Sequence, residues 1–300
     1  VNEALGKETE LLVSHSRQLT LIQDQVESLA ESLSGVEEIV DALSDNRLSE
    51  SLYQRLATEE KIGRVLNGYL NLEGLVSIQV FGSGGSHYQV GDTLDYSDRG
   101  LKDLYFFEAL NSDAYLYWPG ITVNLNARST QRYVLPAARL LYRIVPETME
   151  REINGGLIIN YSADFISGYL NSNPHSDDNS GRGVYLIDQN NHYVAHPDPG
   201  KVGDAVDADL AMFLSRNNGQ GMAVIGDHNV YVTQMPVDAK GWKLLSIVPE
   251  QQILAGVGYI KNQLVAIFAL ALVLVIWIAF HLSSSVVQPI RHVTEAFKKL

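Results

Sequence analysis

The chain carries near its C-terminal end an apolar segment that limits its fold more than any other feature. From Leu264 to Leu282 it reads LVAIFALALVLVIWIAFHL, broken only by His281 near the end. A helix rises about 1.5 Å per residue, so this segment covers most of a hydrocarbon core about 30 Å thick. A buried helix of a soluble domain would be shorter and would have a polar face. We therefore predict a transmembrane helix over residues 259–282.

Charged residues lie unevenly on the two sides of this helix and predict its orientation. Arg291, Lys298 and Lys299 follow it, against one acidic residue, Glu295. The whole chain has 35 acidic and 22 basic residues, so the large part before the helix is strongly acidic. Because basic flanks stay on the cytoplasmic side, we expect residues before about 263 to be extracytoplasmic and residues after about 282 to be cytoplasmic. An acidic outer part also argues against a nucleic-acid partner.

The first 48 residues show the spacing of one long helix. Apolar residues recur at intervals of three and four along one face. They are Leu12, Leu19, Ile22, Val26, Leu29, Leu33, Val36, Val40 and Leu43. Gly35 is the weak point of this helix, because glycine has a low helix propensity. The apolar face either packs against a sheet of the same chain or forms a seam with a second copy, and both alternatives stay open.

After a second predicted helix at 49–69, the apolar period changes to two, which predicts strands. Predicted strands lie at 74–81, 86–94, 114–118, 132–142, 156–161, 183–188, 192–197, 222–225, 230–236 and 242–248. Short helices are predicted at 101–110 and 207–214, and the polar stretch 171–183 is predicted as a loop. Hairpins dominate this order and the second half repeats the first. We therefore predict an α+β fold with two tandem antiparallel-sheet modules.

Motifs in this order resemble the double Cache sensor domain of bacterial transmembrane receptors. They are Leu104–Ala109 (LYFFEA), similar to the aromatic-pair helix of the membrane-distal module; Gly155–Asn160 (GGLIIN), similar to its closing strand; Val184–Asp188 with Ala195–Pro197, similar to the signature of the membrane-proximal module; and Gln288–Ile290 (QPI), similar to the opening of a HAMP linker. The resemblance covers nearly the whole chain.

The resemblance implies a division into segments, with PAS-like sheets in both modules. The segments are a stalk helix at 1–48, a membrane-distal Cache module at 49–168, a membrane-proximal Cache module at 169–258, the transmembrane helix at 259–282 and the start of a cytoplasmic HAMP linker at 283–300. The resemblance also implies a homodimer in the bacterial inner membrane. Since Val1 is not a start methionine, we expect the chain to be part of a longer protein.

The function implied by the resemblance is extracytoplasmic sensing of a small-molecule ligand, coupled to transmembrane signalling. Residues 74–94 are similar to the corresponding segment of receptors that end in histidine kinase or diguanylate cyclase modules. We expect one of these two outputs, with a methyl-accepting chemotaxis receptor as the alternative. A membrane-anchored extracytoplasmic enzyme and a structural dimerisation module are alternatives of other classes.

The resemblance places a ligand site in the distal module. Amino-acid-binding members hold the ligand with an arginine before the aromatic pair and an aspartate on the closing strand. These positions are Asp103 and Asn160 here, so the resemblance disfavours an amino-acid ligand. Aromatic and polar residues near them are the further candidates. They are Tyr105, Tyr115, Tyr117, Trp118, Asn124, Asn126, Arg128, Arg132 and Tyr133. The arginines would suit an anionic group; the alternative is that these residues only pack the sheet.

Metal and catalytic sites are not favoured by the sequence. His192 and His196 are four residues apart, and on a strand that spacing separates them by about 13 Å, too far to share a metal ion. No cofactor is implied. Ser83 and Ser86 lie in a glycine-rich stretch without the G-x-S-x-G arrangement of a nucleophile elbow. We therefore expect no catalysis in this part of the protein.

Overall fold

The structure of the chain is a computed structural model that describes residues 2–44, 51–92, 99–112, 114–124, 126, 129–171, 183–216, 219–237 and 241–282. Two units can be separated in it. One is Leu5–Pro249, which contains both sheets. The other joins Glu250–Leu300 with Val1–Ala4. The predicted residues Arg128 and Gln288–Ile290 lie outside the described part.

Helix α1 (Asn2–Ser34) carries the predicted apolar face, and this face is buried inside the chain. Leu12, Leu19 and Val26 are each at most 1% exposed, and they belong to one core that includes residues of both sheets. Packing against the chain's own sheets is therefore the alternative that the structure shows. The prediction of one continuous helix over residues 1–48 was wrong: α1 ends at Ser34, next to Gly35, the predicted weak point, and α2 follows at Glu37–Ser44.

Helix α3 (Leu52–Asn67) corresponds to the predicted helix at 49–69 and is slightly shorter at both ends. Its first turn is closed by a capping box, in which the Gln54 backbone N–H donates to Ser51 Oγ and the Ser51 backbone N–H donates to Gln54 Oε1. Such a box satisfies two backbone donors that the helix itself leaves unbonded. Ile62 and Leu66 are fully buried and fix α3 to the core shared with α1.

The first sheet has five antiparallel strands in the order β2-β1-β5-β4-β3. They are β1 (Leu75–Gly82), β2 (His87–Gly91), β3 (Thr122–Val123), β4 (Tyr133–Ile144) and β5 (Arg151–Ser162). The predicted turn between β1 and β2 is present, and Gly85 has a φ of +87°, which favours glycine. Helices α1 to α3 pack on one face of the sheet, and α4 (Arg99–Asn111) packs on the other.

The second sheet repeats this arrangement, with five antiparallel strands in the order β7-β6-β10-β9-β8. They are β6 (Gly183–Ile187), β7 (Tyr193–Ala195), β8 (Gln220–Ile225), β9 (His228–Pro236) and β10 (Lys243–Pro249). Helix α5 (Ala163–Asn171) precedes the sheet, and α6 (Ala208–Arg216) covers the face that corresponds to the α4 face of the first sheet. The predicted α+β class with two antiparallel-sheet modules is confirmed.

Three local elements differ between the sequence prediction and the structure. The strand predicted at 114–118 was wrong, because only Tyr117 forms a bridge there, with Ala138. Helix α5 and the short strand β3 were not predicted. The predicted loop 171–183 lies mostly outside the described residues.

Helix α7 (Glu250–Leu282) follows β10 without a break and is 33 residues long. It starts nine residues before the predicted transmembrane segment, at Glu250 rather than at residue 259. Its portion Gln263–His281 has a mean hydropathy of 2.8 and is long and apolar enough to cross a membrane. Large apolar side chains stand exposed on it, with Leu270 at 71% and Phe280 at 77%. This exposure matches a helix whose surroundings are lipid rather than protein.

Candidate functional site

The two faces of the first sheet have different chemical characters. Side chains alternate across a strand, and on β1 Ile78 and Val80 join the core beneath α1. Ser77, Gln79 and Phe81 therefore lie on the opposite face, which α4 covers. We call this second side of the sheet the distal face. Phe81 contacts α4 residues on this face. Ser77 and Gln79 lie on the same strand face as Phe81, and therefore close to α4.

Uncharged polar side chains form a continuous group on the distal face. The strand register places Ser77 opposite Asn160 and Gln79 opposite Gln89. Ser77 is 2% exposed and Gln79 is 3% exposed. The Asn160 Nδ2 donates a hydrogen bond of 2.9 Å to Ser77 Oγ. We call Ser77, Gln79, Gln89 and Asn160 the polar row.

Aromatic side chains adjoin the polar row on the same face. Tyr105 of α4, 6% exposed, packs with Phe81 and Ile158, and Phe106 packs against the same cluster. A Cβ atom at Gly156 would lie 2.3 Å from the Phe106 ring. Glycine is therefore needed there to let the α4 ring lie directly on β5.

A loop beyond α4 borders this face and is held by amide groups. Asn124 Nδ2 donates to Asp92 Oδ2 at 3.2 Å and to the Gln131 carbonyl oxygen at 2.9 Å. Asn124 Oδ1 accepts from the Asn126 backbone N–H at 3.0 Å. Ser162 Oγ on β5 donates to Gln131 Oε1, which ties the loop to the sheet. The predicted candidates Asn124 and Asn126 thus shape the loop around the site.

Tyr105, Tyr117 and Asn160 are the predicted residues that the structure places on the distal face. Tyr117 is joined to Ala138 by two backbone hydrogen bonds of 2.8 Å, at the far side of β4 from the polar row. Burial, and then the charge of Glu108, raises the pKa of the Tyr117 hydroxyl above its ordinary value. These three residues therefore share a face without forming one tight group.

Other predicted residues lie elsewhere. Trp118 makes an edge-to-face contact of 5.7 Å with Trp242 of the second sheet module, and a Cβ at Gly203 would lie 2.2 Å from the Tyr133 ring. Both aromatic rings therefore pack between the two modules. Arg132 and Asp103 are exposed, with the Arg132 guanidinium 5.1 Å from the centre of the Tyr133 ring.

Tyr115 is also away from the polar row. The guanidinium carbon of Arg139 lies 3.4 Å from the centre of its ring. Burial lowers the pKa of Arg139, and the charge of Glu31 acts in the opposite direction. The predicted set therefore does not line a single pocket, and its role in ligand binding stays a prediction.

A dense set of polar contacts joins the distal module to the second one. The buried Asp188 carboxylate accepts backbone hydrogen bonds from Ile121, Asn190 and His192 at 3.0, 2.9 and 2.8 Å. Gln189 Nε2 donates to the Trp118 carbonyl at 2.8 Å, and Gln189 Oε1 accepts from Trp242 Nε1 at 2.9 Å. We call the contact of residues 188–191 with residues 118–121 the module junction.

The second sheet fills its corresponding face with apolar side chains. Ile187 of β6, Leu245 and Ile247 of β10, and Val232 of β9 are 0–4% exposed and pack with α6. The strand orders of the two sheets correspond one to one, so β6 and β10 take the places of β1 and β5. The polar row therefore lies on strands whose counterparts in the second sheet carry aliphatic side chains and two tyrosines, Tyr185 and Tyr193, on the corresponding face.

A groove of about 670 Å³ lies on a different surface, between α1 and α5. Its wall includes Tyr161, whose hydroxyl donates to the Glu73 carbonyl at 2.7 Å, and burial raises the pKa of this tyrosine to about 12. The carboxylates of Glu73 and Asp164 at its edge belong to exposed residues. Its geometry is that of an open surface groove, in contrast to the polar row, in which Ser77 and Gln79 are buried.

Comparisons with known proteins identify the architecture. The family model of the Cache domain matches residues 2–257. The ligand-binding domain of the Pseudomonas fluorescens chemoreceptor CtaA, solved with L-serine, is 10% identical with a TM-score of 0.57, and the match covers 84% of this chain and 100% of that one. The ligand-binding domain of the Pseudomonas aeruginosa amino-acid chemoreceptor PctC, solved with GABA, is 13% identical with a TM-score of 0.54, covering 82% and 100%.

A third similar structure comes from another receptor class. The extracellular domain of vpHK1S-Z8, which is assigned as a histidine kinase, is 18% identical with a TM-score of 0.56, and the match covers 84% of this chain and 97% of that one. No curated protein matches the chain significantly. At these identities the solved structures establish a common fold, and the family model extends over both sheets and α1. The chain therefore belongs to the Cache domain family.

Proposed function

We propose that the chain is the extracytoplasmic ligand-sensing and transmembrane signalling segment of a bacterial receptor. The observation that carries the proposal is the polar row, which occupies a face that the second module fills with aliphatic and aromatic side chains. Burying polar groups costs free energy unless they find partners. The amide and hydroxyl groups of the polar row, on strands whose counterparts carry aliphatic and aromatic residues, support solute binding on the distal face.

The module junction supplies a route for the signal. The distal face adjoins Tyr117, whose neighbour Trp118 is hydrogen-bonded through its carbonyl to Gln189. Gln189 in turn holds Trp242, which precedes β10, and β10 continues into α7. A solute that binds one arrangement of this route more tightly shifts the population toward it. A tenfold shift requires a difference of about 1.4 kcal/mol in binding free energy.

The similar receptor domains support a small-molecule ligand, since two of them were solved with GABA and L-serine. We propose a histidine kinase or diguanylate cyclase output, with a chemotaxis receptor as the alternative. A HAMP linker at 283–300, a homodimer, and an inner-membrane location with the sheets outside complete the proposal. The complete open reading frame of the gene would show which of these outputs the receptor has.

A thermal-shift screen tests the sensing function directly. The 300-residue chain in detergent micelles is heated with a library of small metabolites, and a binding solute raises the Tm because it binds only the folded state. We expect this rise to disappear in Asn160→Leu and to persist in Gln234→Met, a change on β9 of the second sheet. A solute-dependent rise that Asn160→Leu leaves intact contradicts binding at the distal face.

The alternative functions give different results in the same preparation. A membrane-anchored enzyme would consume a library compound, which mass spectrometry of the mixture detects. A purely structural dimerisation module would show neither a Tm rise nor turnover. The screen therefore separates the three classes of function.

A further inference from the structure

We propose that the solute bound on the distal face is an uncharged, hydrogen-bonding small molecule, such as an amide or a polyol. This inference rests on the sensing function proposed above and names the class of its ligand. The polar row, one buried acceptor within it and the positions of three nearby charged side chains support this ligand class.

The polar row offers hydrogen bonds without formal charge. Its members are a serine, two glutamines and an asparagine, whose amides and hydroxyl can donate and accept. Buried in this setting, an ionised ligand would lack the opposite charge that compensates its loss of hydration. The side-chain amide of Asn160 donates one hydrogen bond to Ser77. Its side-chain oxygen Oδ1 can then accept a hydrogen bond from a solute. The row therefore matches a neutral partner.

A buried acceptor on β2 indicates what the solute brings. Gln89 Oε1 is buried and accepts no hydrogen bond from any residue that the structure describes. Gln79 lies directly opposite Gln89 on β1, where paired Cβ atoms are about 5 Å apart. A solute N–H or O–H group placed over this pair of side chains, on the distal face, would satisfy this acceptor. The adjoining rings of Phe81 and Phe106 suit an apolar face of the same solute.

Three charged residues near the distal face, Glu108, Asp92 and Arg139, can be placed relative to the polar row. The charge of Glu108 contributes to the raised pKa of Tyr117. Tyr117 lies three strands away from Gln79 across the sheet, which is about 14 Å at the usual strand spacing. Ala138 of β4 lies on the distal face. Side chains alternate along a strand, so the side chain of the next residue, Arg139, lies on the opposite face of the sheet. Asp92 accepts a hydrogen bond from Asn124. Ion pairing with a charged solute therefore has no partner within the row.

The first experiment needs no ligand. Gln79→Met and Gln89→Met replace an amide by an apolar side chain of similar length, and Gln234→Met makes the same change on the second sheet. If the row is kept for a solute, the Tm of the free chain stays unchanged or rises in the first two variants. A fall of more than ~2 °C in both would show that the amides are structural, and it would overturn the inference.

The second experiment uses matched pairs of probes. Each pair joins an uncharged compound to its ionised counterpart: nicotinamide with nicotinate, D-glucose with D-glucuronate, and so on through a metabolite library, with L-serine and GABA as zwitterions. The full chain in detergent micelles is scanned with each probe. We expect every Tm rise that Gln79→Met abolishes and Gln234→Met retains to come from an uncharged member.

The outcomes separate the ligand class from the sensing function. Site-dependent binding of ionised members or of L-serine and GABA overturns the ligand class while sensing stands. Absence of any site-dependent binder across the library overturns the sensing function itself. Binding of an uncharged member with at least tenfold weaker binding of its ionised partner supports the inference.

Discussion

Asp188 shows how a single residue joins the two modules. Its carboxylate is fully buried, and backbone N–H groups from Ile121, Asn190 and His192 donate to it. An ionised carboxylate can be stabilised by several backbone donors in place of a cation. Gly120 has a φ of +100°, and a Cβ there would lie 2.4 Å from Asp188 Oδ2. The carboxylate and the glycine therefore act together to seat one module on the other.

His196 makes the stability of the fold depend on pH. Its ring lies between Tyr185 and Tyr193, at 4.8 and 4.9 Å, and its Nδ1 accepts a hydrogen bond from the Asp198 backbone N–H. Burial, and then the charge of Lys201, lowers the pKa of His196 below its ordinary value of 6.5. The folded state therefore binds fewer protons than the unfolded state as the pH falls below that value, and the free energy of unfolding decreases.

The prediction is that His196→Asn weakens this pH dependence. Urea unfolding at pH 7.5 and pH 5.5 gives the change in free energy of unfolding for wild type and variant. We expect a smaller decrease in His196→Asn, because asparagine keeps an acceptor and does not titrate. His228→Gln, a change of an exposed histidine, is the control and keeps the wild-type decrease. A decrease in His196→Asn as large as that of wild type contradicts the prediction.

At the scale of elements, α1 and β10 share a buried polar contact. Ser246 Oγ donates to Glu8 Oε2 at 2.7 Å, and these residues are 2% and 9% exposed. The contact holds α1 in position on the second sheet, because leaving the buried carboxylate without this hydrogen-bond donor would destabilise the fold. Ser246 lies close in sequence to Pro249, where β10 ends.

We predict that Ser246→Ala lowers the free energy of unfolding by about 1–3 kcal/mol, the usual cost of an unsatisfied buried group. Denaturant unfolding of the chain measures the change. Ser32→Ala, on the exposed side of α1, is the control and is expected to change it by less than about 0.5 kcal/mol. In a double-mutant cycle, Glu8→Ala and Ser246→Ala should be non-additive, because each change removes the contact; additive effects would show that the contact does not stabilise the fold.

How far the sequence predicts an element depends on what stabilises it. The strands β1 and β2 and the apolar face of α1 follow from periodicity alone. Helix α5 does not, because it is nine residues long and is held by the burial of Ile166 and Leu170, which only tertiary structure provides. Gln79 alternates with apolar neighbours and reads as solvent-facing, and only the position of α4 turns it into a candidate site residue. Trp118 was assigned to the distal site because the sequence does not reveal a contact with Trp242.

At the scale of the whole molecule, the chain contains no cysteine, which makes its membrane orientation easy to test. Arg216 lies exposed at the end of α6, and Lys298 follows α7 in the sequence. We predict that Arg216→Cys in intact cells reacts with a membrane-impermeant maleimide, whereas Lys298→Cys reacts only after permeabilisation. The cysteine-free protein is the control. Equal labelling of the two variants in intact cells would place them in one compartment and contradict the proposed topology.

Helix α1 contributes side chains to a single core shared by both sheets. Neither sheet therefore keeps a complete interior without that helix, and the helix cannot serve one sheet alone. If one module were exchanged between related receptors, part of the apolar face of α1 would pack against a sheet with different side chains. We expect the pair to be inherited as an indivisible unit, so that new ligand preferences arise by point substitution on the sheet rather than by shuffling of modules.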